Sequence, residues 1–376
     1  MKKIDIVLVG FSGYGEFYTD FLFQNPYDLD YNFKAVADPF LSDEDKSTLQ
    51  KKNILYFSDL EEFFENHKAD LTIIAAPIHL HKSLCETAVR NGSTVLCEKP
   101  TTARISDLYE MHDYEAKYKK DIFIGFQWSF ATPILGLKKD LIAGKFGEIL
   151  SCKAIVLWPR NLEYYSRTTG WAGKIRTGDG LYVYDSVASN ATAHYLNNLL
   201  FLLGNSMETS VELDKISAEC YKVNPIESFD TCIIKAQTVK NQEILFAASH
   251  TTEKSMDPIF EIKCEKAVIH CDFAKNNGLL TAEFTDGEIK SYGEVSTIRE
   301  QHQKIISVIN WLSDPVNSTK PVSTVMTTLS FTQVINHLFE EVEFVKPSSK
   351  VVLDEPENRY YADGLFEKLV DTYQAN

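Results

Sequence analysis

The chain has 376 residues, of which 44% are hydrophobic and 24% charged, a composition typical of globular proteins. Its 38 basic residues against 53 acidic ones leave a net charge of −15, which repels phosphate backbones and anionic membrane surfaces, so we expect neither nucleic acid nor membrane as a partner. The length exceeds one typical hydrophobic core and predicts two domains.

The sequence has features of a protein from a reducing compartment. No apolar run reaches the ~20 residues that a transmembrane helix needs. The opening MKKIDIVLVGFSGYG has a short apolar run that contains Asp5 and leads into a glycine-rich turn, which favours a first strand over a signal peptide. The seven cysteines include no CxxC pair, which is typical of reduced thiols. We therefore expect a cytoplasmic protein.

Short apolar runs alternate with amphipathic helical patterns in the first third of the chain. The runs are DIVLVG, NFKAVAD, DLTIIAAP, STVLCEKP and DIFIGFQW. Helical patterns lie at about 14–24, 42–51, 59–67, 79–91 and 104–118. Because near-continuous apolar strands joined by helices form parallel sheets covered on both faces, we predict a doubly wound α/β Rossmann domain over residues 1–126.

The pattern changes after GFQWSF. A predicted helix at about 132–143 is followed by a strand, a loop rich in Tyr, Thr and Gly at 161–189, and a helix that contains His194. Five strand patterns then succeed one another between about 211 and 292, and helices are predicted at about 296–312, 323–343 and 360–373. Strands in direct succession favour antiparallel pairing. We therefore predict an α+β domain with a large, mostly antiparallel open sheet over 127–376 for substrate binding and oligomerisation, and we allow its C-terminal helix to pack back on the first domain.

A glycine-rich turn separates the first predicted strand from the first predicted helix. Its residues are Gly10, Ser12, Gly13, Tyr14 and Gly15, within VLVGFSGYGEFY. Spaced glycines alone are a weak signal, but between a strand and a helix they let the backbone approach a pyrophosphate at the positive end of the helix dipole. The alternative, glycines that only make a turn, is disfavoured by this context.

An acidic residue ends the second predicted strand. Asp38 lies 23 residues after Gly15, and Pro39, Phe40 and Leu41 follow it without an arginine. A carboxylate at this position accepts hydrogen bonds from an adenosine ribose diol and repels a 2′-phosphate. The sequence therefore predicts NAD as cofactor in preference to NADP.

Two histidines raise the question of a metal. His79 and His81 lie close together, but no cysteine or carboxylate cluster accompanies them. A loop leading into a helix explains them better than a metal site does, so we expect no metal.

Three further segments carry a family resemblance. AAPIHLH, CEKP at a strand's carboxyl end, and GFQWSF, taken with GFSGYG, resemble the Gfo/Idh/MocA family of NAD(P)-dependent oxidoreductases, which includes glucose–fructose oxidoreductase and inositol dehydrogenases. The resemblance implies that Lys99 lies beside the nicotinamide and hydrogen-bonds the reacting hydroxyl, where an ammonium stabilises a developing alkoxide. It also implies cofactor contacts from Ala76, Pro77, His79, Glu98, Lys99 and Gln127.

The segment SNATAHYLNNLLFLLG is similar to the family's DxxxH helix, with one departure. Counting back from Gly204, His194 matches the catalytic histidine, and Asn190 stands where the family has aspartate. An asparagine orients an imidazole by hydrogen bonding but does not stabilise an imidazolium as an anion does. Asp185 is the nearest carboxylate that could compensate, and the sequence leaves open whether it does.

The segment before this helix offers candidate substrate contacts. It combines aromatic and cationic side chains, which suit a sugar or polyol pocket but equally suit a β-rich core. These residues are Trp158, Arg160, Tyr164, Tyr165, Trp171 and Lys174.

The resemblance implies a dehydrogenase or reductase that moves a hydride between nicotinamide and a secondary hydroxyl or keto group of a sugar or cyclitol. Lys99 polarises the oxygen, His194 exchanges the proton and Asn190 positions the histidine. Two alternatives stay open: a glycosidase that oxidises its substrate transiently with bound NAD, and a ligand sensor that binds NAD without catalysis. The resemblance also implies a homodimer or homotetramer.

Overall fold

The computed structural model describes residues 2–166, 170–295 and 297–375. These residues form two compact units. The first contains the described residues of Met1–Phe130 together with Thr297–Met326, and the second contains those of Ala131–Ser296 and Thr327–Asn376. The segment Thr297–Met326 therefore corrects the predicted domain division, which placed it in the second domain.

The described residues form the following elements in chain order. The strands are β1 Ile4–Val9, β2 Tyr31–Ala37, β3 Leu55–Phe57, β4 Leu71–Ile74, β5 Thr94–Cys97, β6 Ile122–Ile124, β7 Ile149–Leu157, β8 Leu213–Tyr221, β9 Thr231–Thr238, β10 Glu243–Ser249, β11 Met256–Cys264, β12 Ala267–Asp272, β13 Leu279–Phe284, β14 Ile289–Glu294, β15 Phe344–Val345, β16 Val351–Asp354 and β17 Arg359–Ala362. The helices are α1 Gly15–Gln24, α2 Asp43–Lys51, α3 Leu60–Asn66, α4 His81–Arg90, α5 Ile105–Tyr118, α6 Thr132–Ile142, α7 Ala193–Leu202, α8 Phe273–Asn276, α9 Thr297–Ser313, α10 Leu329–Glu341 and α11 Leu365–Ala375.

The first unit is a Rossmann domain, which confirms the predicted fold class. Its sheet has the order β3-β2-β1-β4-β5-β6, and every pairing in it is parallel. The short edge strand β3 was absent from the prediction, since three residues are too few to show a period. The carboxyl ends of β1, β4 and β5 lie side by side, which gathers the loops that follow them at one edge.

Helix α9 belongs to the first unit because of its apolar face. Ile305, Val308 and Ile309 are buried against Ile6 and Leu8 of β1. The spacing i, i+3, i+4 places these three side chains on one face of the helix. The residues after α9 also join this sheet, since Ile124 N–H donates to the Ser323 carbonyl at 2.8 Å.

The second unit is built on a mixed, mostly antiparallel sheet, as predicted. The strand order is β14-β13-β12-β11-β7-β10-β9-β8-β15, with parallel pairing at β7–β10 and β8–β15. Leu365 and Leu369 of α11 pack on one face of this sheet against Ile155 and Ile233. The C-terminal helix thus covers the sheet of its own unit, which differs from the option that the sequence left open.

Three further features concern the described part of the chain. None of its helices is long and apolar enough to cross a membrane. No group of three or more His, Cys, Asp or Glu side chains in these ranges could hold a metal ion. The cysteines are buried as free thiols.

Candidate functional site

The glycine turn between β1 and α1 leaves its backbone accessible. Gly10 has φ +87° and Gly13 has φ +63°. A Cβ on Gly10 would lie 2.6 Å from the Ala75 carbonyl oxygen, and one on Gly15 would lie 2.2 Å from the Gly10 carbonyl oxygen, so these positions exclude side chains. Nothing lies within 4 Å of a Cβ built on Gly13. The turn thus fits a pyrophosphate at the N-terminus of α1.

Three side chains lie on or beside the glycine turn. Ser12 and Tyr14 are exposed on the turn, and Glu16 follows in the first turn of α1. The Glu16 carboxylate accepts the Gly13 N–H at 3.3 Å. An acidic side chain therefore competes for a backbone donor that an anion would use.

Asp38 is held at the end of β2 by two backbone donors. The Phe11 N–H donates to Oδ2 and the Phe40 N–H to Oδ1, each at 2.8 Å. Asp38 is half-buried. A carboxylate has about four lone-pair directions, so two acceptor directions are left for a ribose diol. The position and the remaining acceptors fit the predicted role of Asp38.

Glu98 and Lys99, the last residues before Pro100, have different surroundings. Glu98 is buried, and its Oε2 accepts the Lys99 N–H at 3.0 Å. Its Oε1 accepts a hydrogen bond from the Tyr18 hydroxyl at 2.6 Å and forms an ion pair with Lys304. Lys99 is half-buried. The buried carboxylate thus fixes the main chain of the candidate catalytic lysine.

The charges of this cluster stabilise one another. Burial acts to raise the pKa of Glu98, but the Lys304 charge and the hydrogen bonds from Lys304 and Tyr18 outweigh it and lower that pKa. Burial acts to lower the pKa of Lys304, and the Glu98 carboxylate outweighs it and raises that pKa. Both groups are therefore charged at neutral pH. Nothing in the sequence around Lys304 marks it as a site residue, because its partner lies 206 positions earlier.

The loop after β4 is tied to the loop after β5. His81 is buried, its Nε2 lies 2.9 Å from the Ala76 carbonyl oxygen and its Nδ1 lies 2.9 Å from that of Pro100. Burial lowers the pKa of His81, against the effect of these carbonyl oxygens. Ala76, Pro77 and His79 are half-buried at the same edge. His81 therefore joins the two loops.

Gln127 lies just beyond β6. It begins a 3₁₀ turn, Gln127–Phe130, and only 3% of its surface is exposed. Its Oε1 has no hydrogen-bond partner within the ranges that the structure describes. A buried acceptor without a partner fits a ligand that brings a donor, such as a carboxamide.

In the second unit, Asn190 contacts Asp185. Helix α7 begins at Ala193, so His194 lies in its first turn and Asn190 lies in the turns before it, not within the helix as the spacing suggested. The Asn190 Nδ2 donates to Asp185 Oδ1 at 2.9 Å. Asp185 is buried and its Oδ2 accepts the Gly173 N–H at 2.6 Å. Asp185 thereby sets the orientation of the Asn190 amide.

The other predicted substrate residues surround this pair to different degrees. The Tyr164 hydroxyl lies 3.5 Å from Asn190 Nδ2, and the Arg160 guanidinium carbon lies 5.2 Å from the Tyr164 ring centre and 5.8 Å from that of Trp158. Trp171 and Lys174 are half-buried and bracket the turn whose Gly173 N–H binds Asp185.

One neighbour in this cluster was missed by the sequence analysis. The His250 Nδ1–H donates to the Trp158 carbonyl oxygen at 2.8 Å, and the His250 ring lies 5.5 Å from that of Tyr164. It comes from the end of β10, far from the loop in sequence. Within this unit the structure thus brings together Asp185, Asn190, Tyr164 and Arg160.

The first unit matches a known family along its whole parallel sheet. Residues 4–126 match the model of GFO_IDH_MocA, the oxidoreductase family with an NAD-binding Rossmann fold. This match lies within the N-terminal domain. That result confirms the resemblance derived from GFSGYG and CEKP.

Individual relatives are similar over shorter stretches. Inositol 2-dehydrogenase 1 of Saccharopolyspora erythraea is 25% identical over 114 residues, which cover 30% of this chain and 34% of that protein. The 2,7-anhydro-N-acetylneuraminate hydratase of Mediterraneibacter gnavus is 28% identical over 152 residues, which cover 40% and 38%. The chain thus spans between a third and two fifths of the length of these relatives.

Solved structures share the whole fold. The WlbA dehydrogenase from Bordetella pertussis, in complex with NADH and UDP-GlcNAcA, has a TM-score of 0.70 at 20% identity, over 89% of this chain and 96% of that chain. Levoglucosan dehydrogenase, in complex with NADH and levoglucosan, has a TM-score of 0.70 at 15% identity, over 90% and 97%. At these identities the likeness establishes the two-domain fold.

Proposed function

We propose that this chain is an NAD-dependent oxidoreductase that transfers a hydride between nicotinamide and a secondary hydroxyl or keto group of a sugar or cyclitol. The observation that carries the proposal is the position of Lys99. It follows β5 at the carboxyl edge of a sheet matched by an NAD-binding family, and Glu98 fixes its main chain. Ligands of open α/β sheets bind at that edge.

Each residue of the proposed site has its own role in hydride and proton transfer. NAD, when bound, supplies the hydride acceptor. Lys99 donates a hydrogen bond to the carbinol oxygen and stabilises the charge that develops there. His194 accepts the hydroxyl proton, and Asn190 orients its imidazole. Asp185 acts through Asn190, whose amide it holds at 2.9 Å.

The cofactor residues are the glycine turn, Asp38 and the loops after β4, β5 and β6. Asp38 accepts hydrogen bonds from the ribose diol and repels a 2′-phosphate, so NAD is preferred over NADP. Gln127 offers its buried Oε1 as an acceptor at the nicotinamide end. Ala76, Pro77 and His79 line the same edge as Lys99.

A second candidate reaction uses NAD without net consumption. Two relatives, from Mediterraneibacter gnavus and Escherichia coli, are named hydratases and are 28% and 25% identical to this chain over their matched stretches. A hydratase or glycosidase that oxidises its substrate transiently would turn over without accumulating NADH. A ligand sensor of the same fold would bind NAD and show no turnover with any substrate.

The proposal extends to assembly and location. The nine-stranded sheet joins copies of the chain into a homodimer or homotetramer, on the strength of the family resemblance. The protein works in the cytoplasm, in keeping with its free, buried thiols.

The first experiment is a titration of the purified protein with NADH and then NADPH, followed by quenching of tryptophan fluorescence. We expect micromolar NADH affinity and NADPH affinity at least about 10-fold weaker. The D38N variant should bring the NADPH affinity closer to the NADH affinity, because it removes the charge that repels a 2′-phosphate. If neither cofactor binds, the oxidoreductase proposal fails. A screen of sugars and inositols with NAD then separates net NADH formation from turnover without it.

A further inference from the structure

Arg160 is a cation without an anionic partner among the residues that the structure describes. Its guanidinium takes part in no side-chain hydrogen bond within the described ranges, and its Nε is buried there without a partner. No carboxylate of these ranges forms an ion pair with it. A buried guanidinium nitrogen without an acceptor is costly, because desolvation of a charged donor is not compensated.

Aromatic rings hold the guanidinium in place. Its central carbon lies 5.2 Å from the ring centre of Tyr164 and 5.8 Å from that of Trp158. Contacts of this kind restrict the rotamers of the side chain and leave its N–H donors for another group. Trp158 is itself anchored by its Nε1, which donates to Asp257 at 3.3 Å. The rings therefore hold the guanidinium so that its N–H groups, here called the donor fork, point in fixed directions.

Charge compensation of buried acids does not explain Arg160. Asp185 is satisfied by the Gly173 N–H and by Asn190. Asp230 is buried, and burial raises its pKa to about 6 against hydrogen bonds from Asn224, Val223 and Thr251. Within the described ranges no ion pair joins Asp230 to Arg160. Neither acid therefore uses its guanidinium.

Arg160 lies close to the residues assigned to proton transfer. Tyr164, which contacts its guanidinium, has its hydroxyl 3.5 Å from Asn190 Nδ2. Asn190 comes four residues before His194. The Tyr164 ring would thus lie between a ligand group bound by Arg160 and the side chain of Asn190.

We infer that the substrate carries a carboxylate and that Arg160 binds it through its donor fork. This inference rests on the proposed function and names its substrate class, an acidic sugar such as a uronate. The planar guanidinium matches the two oxygens of a carboxylate in a way that an ammonium does not. The hydroxyl oxygens of neutral sugars and cyclitols also accept hydrogen bonds, but they carry no negative charge to balance the guanidinium.

The test compares matched acid and neutral sugars on the NADH-loaded protein. The probes are D-glucuronate against D-glucose and D-galacturonate against D-galactose, with affinity measured by calorimetry. We expect at least one acid to bind roughly 10- to 100-fold more tightly than its neutral partner, the value of a charge-assisted hydrogen-bonded pair. R160M should abolish that difference and R160K should restore only part of it.

A matched control separates the site from general charge effects. Arg176 is exposed in the same segment and stacks on Tyr182, so R176M should leave the preference for the acid unchanged. Equal affinity for acid and neutral sugars, no acid binding below about 10 mM, or an unchanged ratio in R160M overturns the inference. If any of these results is obtained while NADH still binds, the oxidoreductase proposal is unaffected. If NADH does not bind, the oxidoreductase proposal fails. In that case the ratio of acid to neutral sugar affinity, measured on the protein without NADH, still tests the role of Arg160.

Discussion

Lys304 and Glu98 form an ion pair that is buried in the first unit, with 0% of Lys304 and 5% of Glu98 exposed. The ring centres of Tyr14, Phe17 and Tyr18 lie 4.8–5.6 Å from the ammonium. The pair connects α9 to the end of β5, directly before Lys99. The packing of α9 is therefore coupled to the geometry of the candidate catalytic lysine.

Replacement of Lys304 by methionine should destabilise the protein by about 3–5 kcal/mol, because a buried carboxylate is left without its cation. Urea denaturation at pH 7 measures the change in the free energy of unfolding. The double variant E98Q/K304M removes both charges and should recover part of the loss. Equal stability of K304M and the wild type would contradict the buried pair.

Replacement of Lys99 by methionine should lower turnover at least about 100-fold, since it removes the donor to the developing alkoxide. The NADH affinity of the variant should stay within a few-fold of the wild-type value. The reason is that Glu98 binds the main-chain N–H of residue 99, which the substitution keeps. Steady-state kinetics and the fluorescence titration measure the two quantities. K46M, on the surface of α2, is the control that should match the wild type. Turnover of K99M at the wild-type rate would remove Lys99 from the mechanism.

Replacement of Asn190 by aspartate should introduce a pH-dependent loss of stability. The new carboxylate would lie beside Asp185, at the 2.9 Å contact that the amide now makes, and like charges raise one pKa of the pair. A raised acid pKa means that the folded state holds more protons, so stability falls as pH rises. Thermal unfolding between pH 5 and pH 8 measures this trend.

The exchanged variant D185N/N190D is the control for that pair. It restores one amide and one carboxylate, so its stability at pH 8 should exceed that of N190D. A pH–rate profile of both variants then reports whether the acid at position 190 shifts the titration of His194. If N190D is as stable at pH 8 as at pH 5, the contact with Asp185 is not formed in solution.

Replacement of Glu16 by glutamine should tighten NADH binding by roughly 3- to 10-fold at low salt, because the carboxylate competes for the Gly13 N–H and repels a pyrophosphate. The gain should shrink in 0.5 M salt as the charges are screened. E44Q, in the first turn of α2, is the matched control and should leave the NADH affinity unchanged. Weaker NADH binding by E16Q would show that Glu16 supports the turn instead.

Lys138 should make stability depend on pH in the alkaline range. It is buried and donates to the Phe201 and Thr209 carbonyls at 2.6 and 2.7 Å, and burial lowers its pKa to about 7. An unfolded lysine titrates near pH 10.4, so the unfolded state binds more protons across this window and stability rises with pH there, by up to about 1.4 kcal/mol per pH unit. K138M should lose that slope in urea denaturation between pH 7 and pH 9.5. K139M, at an exposed neighbour, should keep it.

Several parts of the fold were predictable because they leave local patterns. Apolar runs between amphipathic helices indicated the parallel sheet, and successive strands indicated the antiparallel one. The failures had physical causes. The three-residue strand β3 is too short to show a period, and α9 has the same apolar periodicity whichever domain it covers, so pattern alone assigns it to neither.

The sequence by itself determined the glycine turn, Asp38 and the EKP residues, because each depends on residue type and on its place directly after a strand. Only the tertiary structure decided which distant side chains contact the candidate site residues. Lys304 reaches Glu98 across 206 positions, and Asp185 meets Asn190 through turns that a helical spacing does not describe. Such contacts depend on how distant segments pack, and packing is a property of the folded chain rather than of any stretch of its sequence.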